Sequence, residues 1–106
     1  MATNYQRGRA FEYRVRDALM KRGAVYVMRA AQSKGKVDLL ALYPGLGEMI
    51  PYVEIVQCKR DGRLSADEAA ELIRIAVETD TVPLLAKTGK NGRGVEFINL
   101  LTEGNA

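Results

Sequence analysis

Residues 52–60 read YVEIVQCKR, and this stretch decides the fold because it joins an apolar strand to a polar end. Side chains alternate between the two faces of a strand, so Gln57 and Lys59 share one face. The opposite face carries Glu54, Val56 and Cys58. We therefore expect the face of Gln57 and Lys59 to belong to a functional site, and the opposite face to pack in an apolar core.

The elements around this strand predict an α/β fold. Apolar residues at helical spacing indicate a helix over residues 7–22, with the stem of Arg22 on its buried side and Gly23 as the stop. Strands are predicted over residues 24–29, 37–43 and 51–59, and in VPLLAK and VEFINL on either side of the turn GKNGRG. The turn PGLGE makes the third strand antiparallel to the second.

A second helix is predicted after residue 65. Ser65 and Glu68 have the spacing of a capping box at its start. Its apolar face is expected to contain Ala69, Leu72, Ile73, Ala76 and Val77. The predicted order is αβββαββ. A chain of 106 residues buries one core, so we expect a single domain over residues 1–106, with residues 1–6 as a flexible arm.

Composition excludes several function classes. No apolar run approaches the roughly 18 residues of a membrane span, and the N-terminus lacks a signal peptide, so a soluble, cytoplasmic protein with no membrane partner is expected. The chain has no histidine, which excludes a Ser/His/Asp triad and histidine-ligated zinc. The single cysteine, Cys58, is expected to be a small core residue without a redox role. An enzyme of this composition needs carboxylates, Lys, Arg, Ser or Tyr, with a hard metal bound by oxygen.

Positive charge is concentrated in the first third of the chain. Residues 1–36 hold nine cations and two anions, a net charge of +7, whereas residues 37–106 hold seven cations and eleven anions, a net charge of −4. This asymmetry favours a polyanionic partner, and nucleic acid is the commonest one. The alternative is a solvated, Arg-rich helix face.

Asp38 interrupts the otherwise apolar second strand, VDLLALY. A carboxylate is costly to bury unless it meets a cation or a metal. An acidic residue in this strand, followed by Gln57-Cys58-Lys59 at the end of the third, resembles the D…(D/E/Q)xK signature of the restriction-endonuclease-like nucleases. The helix GRAFEYRVRDAL, the segment RAAQSKGKVDLLA and PLLAK together resemble the archaeal-type Holliday-junction resolvases over roughly residues 7–100. This resemblance implies a central mixed sheet flanked by helices.

The resemblance also implies a role for each matching residue. Glu12, Asp38 and Gln57 correspond to ligands of Mg²⁺, for which Mn²⁺ substitutes, and the backbone carbonyl of Cys58 is a further ligand. Lys59 orients or deprotonates the attacking water, and Ser33 positions the phosphate or a metal-bound water. Expected DNA contacts are Arg7, Arg9, Arg14, Arg29, Lys34, Lys36 and Arg60.

Each of these residues also has a structural interpretation. Glu12 could form an ion pair with Arg16 one turn away, Asp38 could pair with Lys59, and Ser33 could serve only the turn. Arg7, Arg9, Arg14 and Lys34 could each be solvated charges. Family members usually have Glu at the position of Gln57, and a neutral amide attracts Mg²⁺ less than a carboxylate does.

The implied function is metal-dependent resolution of four-way DNA junctions by paired symmetric nicks. A junction has approximate two-fold symmetry, so a homodimer is implied. Two alternatives stay open. One is a nuclease of the same fold that acts on other branched or modified DNA, and the other is a non-catalytic DNA-binding module whose metal site has decayed at Gln57.

Overall fold

The computed structural model of this chain describes residues 3–30 and 37–102. The elements follow the predicted order αβββαββ, and a short 3-10 turn precedes the last strand. They are α1 Asn4–Lys21, β1 Tyr26–Arg29, β2 Leu39–Tyr43, β3 Tyr52–Cys58, α2 Ala66–Thr79, β4 Val82–Thr88 and β5 Val95–Asn99.

The five strands form one mixed sheet in the order β1-β2-β3-β4-β5. The β2–β3 pair is antiparallel, as predicted, and β3 and β4 are the one parallel pair in this sheet. Parallel neighbours need a crossover connection, and α2 provides it. Within residues 3–30 and 37–102, no helix is long and apolar enough to cross a membrane.

Helix α1 begins earlier than the apolar pattern predicts. Thr3 caps the helix and forms a capping box with Gln6, so Asn4–Gln6, which were assigned to the flexible arm, are helical. These residues are exposed, and hydrophobic spacing therefore gives no signal for them. At the other end, Gly23 ends the helix as predicted, with a φ of 111° that favours glycine.

One helix packs on each face of the sheet. On the first face, Phe11, Val15 and Leu19 of α1 pack against a core that includes Leu39, Ala41, Val56, Leu84 and Ala86. On the second face, Leu72 and Ala76 of α2 pack against Ile55, Leu85 and Leu100. Full burial of each large apolar side chain contributes about 1.5–3 kcal/mol. These two cores fix both helices relative to β3.

Helix α2 starts as the sequence predicts but buries a narrower face. The Ser65–Glu68 capping box is present. Val77, expected on the apolar face, is 66% exposed. It follows Leu72 by five residues, which turns its side chain by roughly 140° around the helix.

The α1-side core contains a charge where only apolar residues were expected. Glu54 is 3% exposed and accepts a hydrogen bond from Arg22, with 3.2 Å between Nη2 and Oε2. The guanidinium of Arg22 also lies 4.5 Å from the centre of the Phe97 ring. The face of Glu54, Val56 and Cys58 is thus a core face, but not an entirely apolar one.

The register of the sheet positions the predicted site. Leu39 at the start of β2 pairs with Val56 near the end of β3. The residue before β2 therefore lies beside the residues that follow Val56. Asp38 and the Gln57–Lys59 segment meet at this point because the strands are antiparallel.

Candidate functional site

Asp38 joins β2 to the end of β3 through its side chain. Its Oδ2 atom accepts a hydrogen bond of 2.7 Å from the backbone N–H of Cys58. Its backbone N–H donates to the carbonyl of Val56, and its own carbonyl accepts from the N–H of Ala30. These bonds fix the position of the carboxylate at the place where β2 and β3 stop pairing.

The carboxylate of Asp38 lies in an unfavourable environment for a negative charge. Burial raises its pKa above the usual value, and the hydrogen bond from Cys58 offsets part of this increase. The negative charge of Glu12 raises the pKa further, while the positive charges of Lys59 and Arg29 lower it. Glu12, Arg29, Asp38 and Lys59 therefore share one electrostatic environment.

Glu12 forms a different ion pair from the one that its helix position allows. Its Oε1 atom lies 2.7 Å from Nε of Arg29 on β1, whereas Arg16 bonds Asp17 at 3.3 Å. The structural interpretation of Glu12, a pair with Arg16, is therefore wrong. Arg29, predicted to contact phosphate, holds Glu12 toward the sheet.

Lys59 is held by a residue that the sequence analysis assigned only to a helix cap. Its Nζ lies 2.9 Å from Oε2 of Glu68, and the side chains of Lys59 and Glu68 are 30% and 28% exposed. Glu68 also accepts the backbone N–H of Ser65. Lys59 lowers the pKa of Glu68 to about 2. The alternative pairing of Lys59 with Asp38 is absent among the described residues.

Gln57 is 9% exposed and makes no side-chain hydrogen bond with any residue of 3–30 or 37–102. Ile55, two residues earlier, packs in the α2-side core, so alternation places Gln57 on that side of the sheet. Glu12 projects from α1 on the opposite side. The two side chains could meet only beyond the end of β3, next to Asp38.

The donors in this region fit a hard divalent cation. The described residues contain no cluster of three Cys, His, Asp or Glu side chains that could hold a metal. The negative charge of Glu12 raises the pKa of Asp38, and a bound cation would offset this repulsion. Mg²⁺ accepts few protein ligands and keeps several waters, so two carboxylates with an amide or carbonyl oxygen suit it. Thiolate ligation by Cys58 is disfavoured, because burial raises the pKa of its thiol.

The predicted DNA contacts fall into separate groups. Arg9 and Arg29 line the same cavity as Glu12. Arg7 and Arg14 lie roughly 140–160° around α1 from Glu12, on the far side of its buried stripe. Arg60 is exposed directly after β3. Ser33, Lys34 and Lys36 lie outside the described residues, so their roles stay predictions.

No protein-family model and no curated protein sequence matches this chain. Among solved structures, the Holliday junction resolvase Hjc of the archaeon Archaeoglobus fulgidus is similar, with a TM-score of 0.65. The match covers 90% of this chain and 74% of that chain, at 22% sequence identity.

The chain has the fold of a Holliday-junction resolvase. The mixed sheet with one helix on each face, in the order αβββαββ, is thus the resolvase fold that the sequence resemblance predicts. At this identity the likeness describes architecture only.

Proposed function

We propose that this protein is a divalent-metal-dependent endonuclease that resolves four-way DNA junctions by paired symmetric nicks. One observation supports the proposal: the Asp38 carboxylate is bound by the N–H of Cys58, next to Lys59 at the end of β3, in a fold like that of a junction resolvase. Phosphodiester hydrolysis requires groups that neutralise charge on phosphorus and a group that orients water. Two carboxylates and a lysine in one electrostatic environment can meet these requirements.

Glu12, Asp38, Gln57 and the carbonyl of Cys58 would hold Mg²⁺, or Mn²⁺ in its place. When bound, this ion supplies charge neutralisation at the phosphate and a water of lowered pKa. Asp38 is the fixed ligand, since its carboxylate is already oriented by the N–H of Cys58. Glu12 Oε1 bonds Nε of Arg29, so its other oxygen would serve as the ligand, while the remaining N–H groups of Arg29 would be available to a phosphate oxygen.

Lys59 would orient the attacking water and stabilise negative charge on the phosphate. Its ammonium is already fixed by Glu68, so less side-chain entropy is lost when substrate binds. Glu68 acts here as a positioning residue through Lys59. The capping box in turn fixes Glu68 at the first turn of α2.

The remaining predicted contacts suit a DNA partner. Arg9 lines the same cavity as Glu12, and Arg60 is exposed just after β3. We infer a homodimer, since paired nicks in a two-fold junction need two opposed sites. Sedimentation equilibrium tests this inference, and a monomer that makes paired nicks would contradict it.

Cleavage of defined DNA substrates tests the proposal. A four-way junction, a flap and a linear duplex are each incubated with Mg²⁺, Mn²⁺ or EDTA. Paired symmetric nicks in the junction alone, abolished by EDTA, are expected. Cleavage of the flap with the junction intact would favour a same-fold nuclease with another substrate, and tight binding without cleavage would favour the non-catalytic module.

A further inference from the structure

A cavity of about 220 Å³ opens between α1 and β1, directly beside the proposed catalytic site. Glu12 and Arg29 line one part of it, so the cavity and the site share two residues. Val27 and Leu39 contribute apolar side chains. Pockets for drug-sized ligands are typically about 300–1,000 Å³, so this cavity suits a ligand of about one planar ring system.

Tyrosine and arginine side chains alternate along the face of α1 that borders this cavity, and Arg9 and Tyr13 of this series line it. Tyr5, Arg9 and Tyr13 follow one another at intervals of four residues along α1, which places them on one face of the helix. The Tyr5 hydroxyl accepts a hydrogen bond of 3.1 Å from Arg9. The guanidinium groups of Arg9 and Arg16 lie 5.9 and 5.2 Å from the centre of the Tyr13 ring. The Tyr13 side chain thus lies beside two cations while remaining 44% exposed.

The charges around the cavity favour an anionic ligand. Three guanidinium groups and one carboxylate line it. Arg29 is paired with Glu12 and Arg16 bonds Asp17, but within residues 3–30 and 37–102 no carboxylate pairs with Arg9. An apolar floor, an aromatic wall and surplus guanidinium groups combine the chemistry that recognises a base with the chemistry that recognises a phosphate.

We propose that this cavity binds one unstacked nucleotide of branched DNA, with its base against Tyr13 and its phosphate on Arg9 and Arg16. The inference rests on the proposed function and extends it, because Glu12 and Arg29 place the bound nucleotide next to the cleaved phosphate. Fully stacked duplex DNA offers no such nucleotide. A branch point does, because bases there unstack more easily than within a duplex arm.

Binding to three DNA probes tests this inference without cleavage. Fluorescence anisotropy is measured in EDTA with a four-way junction that carries one unpaired nucleotide at the branch, with the same junction carrying an abasic residue there, and with a linear duplex carrying a single unpaired nucleotide. Stacking of one base on an aromatic side chain predicts that wild type binds the base-containing junction about tenfold more tightly than the abasic one. Tyr13→Phe should keep this ratio, and Tyr13→Leu, which keeps apolar bulk without the ring, should reduce it to about one.

Two arginine variants separate the phosphate contact from general charge. Arg9→Ala should weaken binding of all three probes with little change in the base-to-abasic ratio. Arg93→Ala removes the same charge at an exposed residue just before β5, distant in sequence from α1, and should weaken binding less. Equal losses for the two variants would contradict the phosphate contact.

The outcomes distinguish the cavity from the proposed function. Equal affinity for base-containing and abasic junctions, or an unchanged ratio in folded Tyr13→Leu, would overturn the nucleotide cavity and leave junction cleavage intact. Tighter binding of the base-containing than of the abasic junction, together with equal affinity for the linear duplex that carries an unpaired nucleotide, would support the cavity and contradict a binding preference for four-way junctions.

Discussion

Glu54 and Asp38 are both carboxylates of the central sheet, but their negative charges are compensated in different ways. Glu54 is almost fully buried and has a cationic partner within the chain, Arg22. Asp38 is less buried, yet its direct partner is one backbone N–H, and a second carboxylate, Glu12, lies nearby. A partner of opposite charge, rather than the depth of burial, distinguishes the structural carboxylate from the candidate catalytic one.

This difference follows from what each carboxylate has to do. A buried charge without compensation destabilises a protein, so a purely structural acid is selected together with its partner. Asp38 has no ion pair with a side chain among residues 3–30 and 37–102, so as a metal ligand it would gain its compensating charge when the cation binds. Under the proposed function, Glu54 contributes to stability and Asp38 to metal binding, and substitutions can test the two roles separately.

The largest expected effect is the loss of cleavage in Asp38→Asn. The junction cleavage rate should fall by at least about a thousandfold, because several kcal/mol of charge stabilisation is lost with the metal. Junction affinity should stay within about tenfold, since phosphate contacts dominate it. Single-turnover cleavage and anisotropy measure these quantities. Glu54→Gln is the matched control and should cleave normally per folded molecule, so wild-type cleavage by Asp38→Asn would refute the site.

For the free energy of unfolding, Glu54→Gln is expected to have the larger effect and Asp38→Asn the smaller one. Glu54→Gln should lower the free energy of unfolding by about 2 kcal/mol, less than for a fully buried pair because the Arg22 side chain is 40% exposed. Asp38→Asn should leave the free energy of unfolding unchanged or raise it, since it removes a charge that burial disfavours. Urea denaturation without metal compares them, and a larger loss for Asp38→Asn would contradict the assignment.

Local sequence patterns predicted most of the architecture. Strand alternation, helical spacing and the Ser65–Glu68 capping box depend on residues close together in the chain, so the element order and the start of α2 are confirmed. The start of α1 was missed because its first turn is polar and exposed. The Glu54–Arg22 pair was missed because 32 residues separate the two side chains. Strand alternation indicates the face on which Glu54 lies, but it does not indicate that Arg22, at the end of α1, contacts that face.

The sequence predicted a candidate site but not the ion pairs that its residues form. The motif brought Glu12, Asp38 and Lys59 together in the sequence analysis, since their elements have a fixed order. The partners Arg29 and Glu68 come from other elements, and only the fold shows that they reach the site. Glu68 did leave a signal, because an N3 carboxylate has one oxygen for the cap and another for a neighbour.

Gln57 would be a neutral metal ligand at a position where the resembled family usually has a carboxylate. Substitutions of Gln57 therefore test how the charge of a ligand affects metal binding. If its amide oxygen is a metal ligand, Gln57→Glu should lower the Mg²⁺ concentration for half-maximal cleavage by roughly tenfold. Gln57→Ala should raise that concentration, with better rescue by Mn²⁺. Metal titrations at matched folded fraction measure this. Coincident curves for the three proteins would exclude Gln57 as a ligand and leave Asp38 unaffected.

A smaller effect is expected from the Lys59–Glu68 pair. Lys59 and the N–H of Ser65 hold the pKa of Glu68 at about 2, so its stabilising contribution is complete above its ordinary pKa near 4.5 and is lost as pH falls toward 2. Glu68→Gln keeps a capping residue but removes the charge, and should flatten the pH dependence of stability in this window. Acid titrations followed by circular dichroism measure it, and parallel curves for both proteins would contradict the pair.

The most direct test of the central claim is the change in melting temperature on adding Mg²⁺. Asp38 is proposed to gain its compensating charge from the metal, whereas Glu54 already has Arg22. Mg²⁺ should therefore raise the melting temperature of wild type and of Glu54→Gln by similar amounts, and should not raise that of Asp38→Asn. The same increase in all three proteins, or none in any of them at millimolar Mg²⁺, would contradict the account.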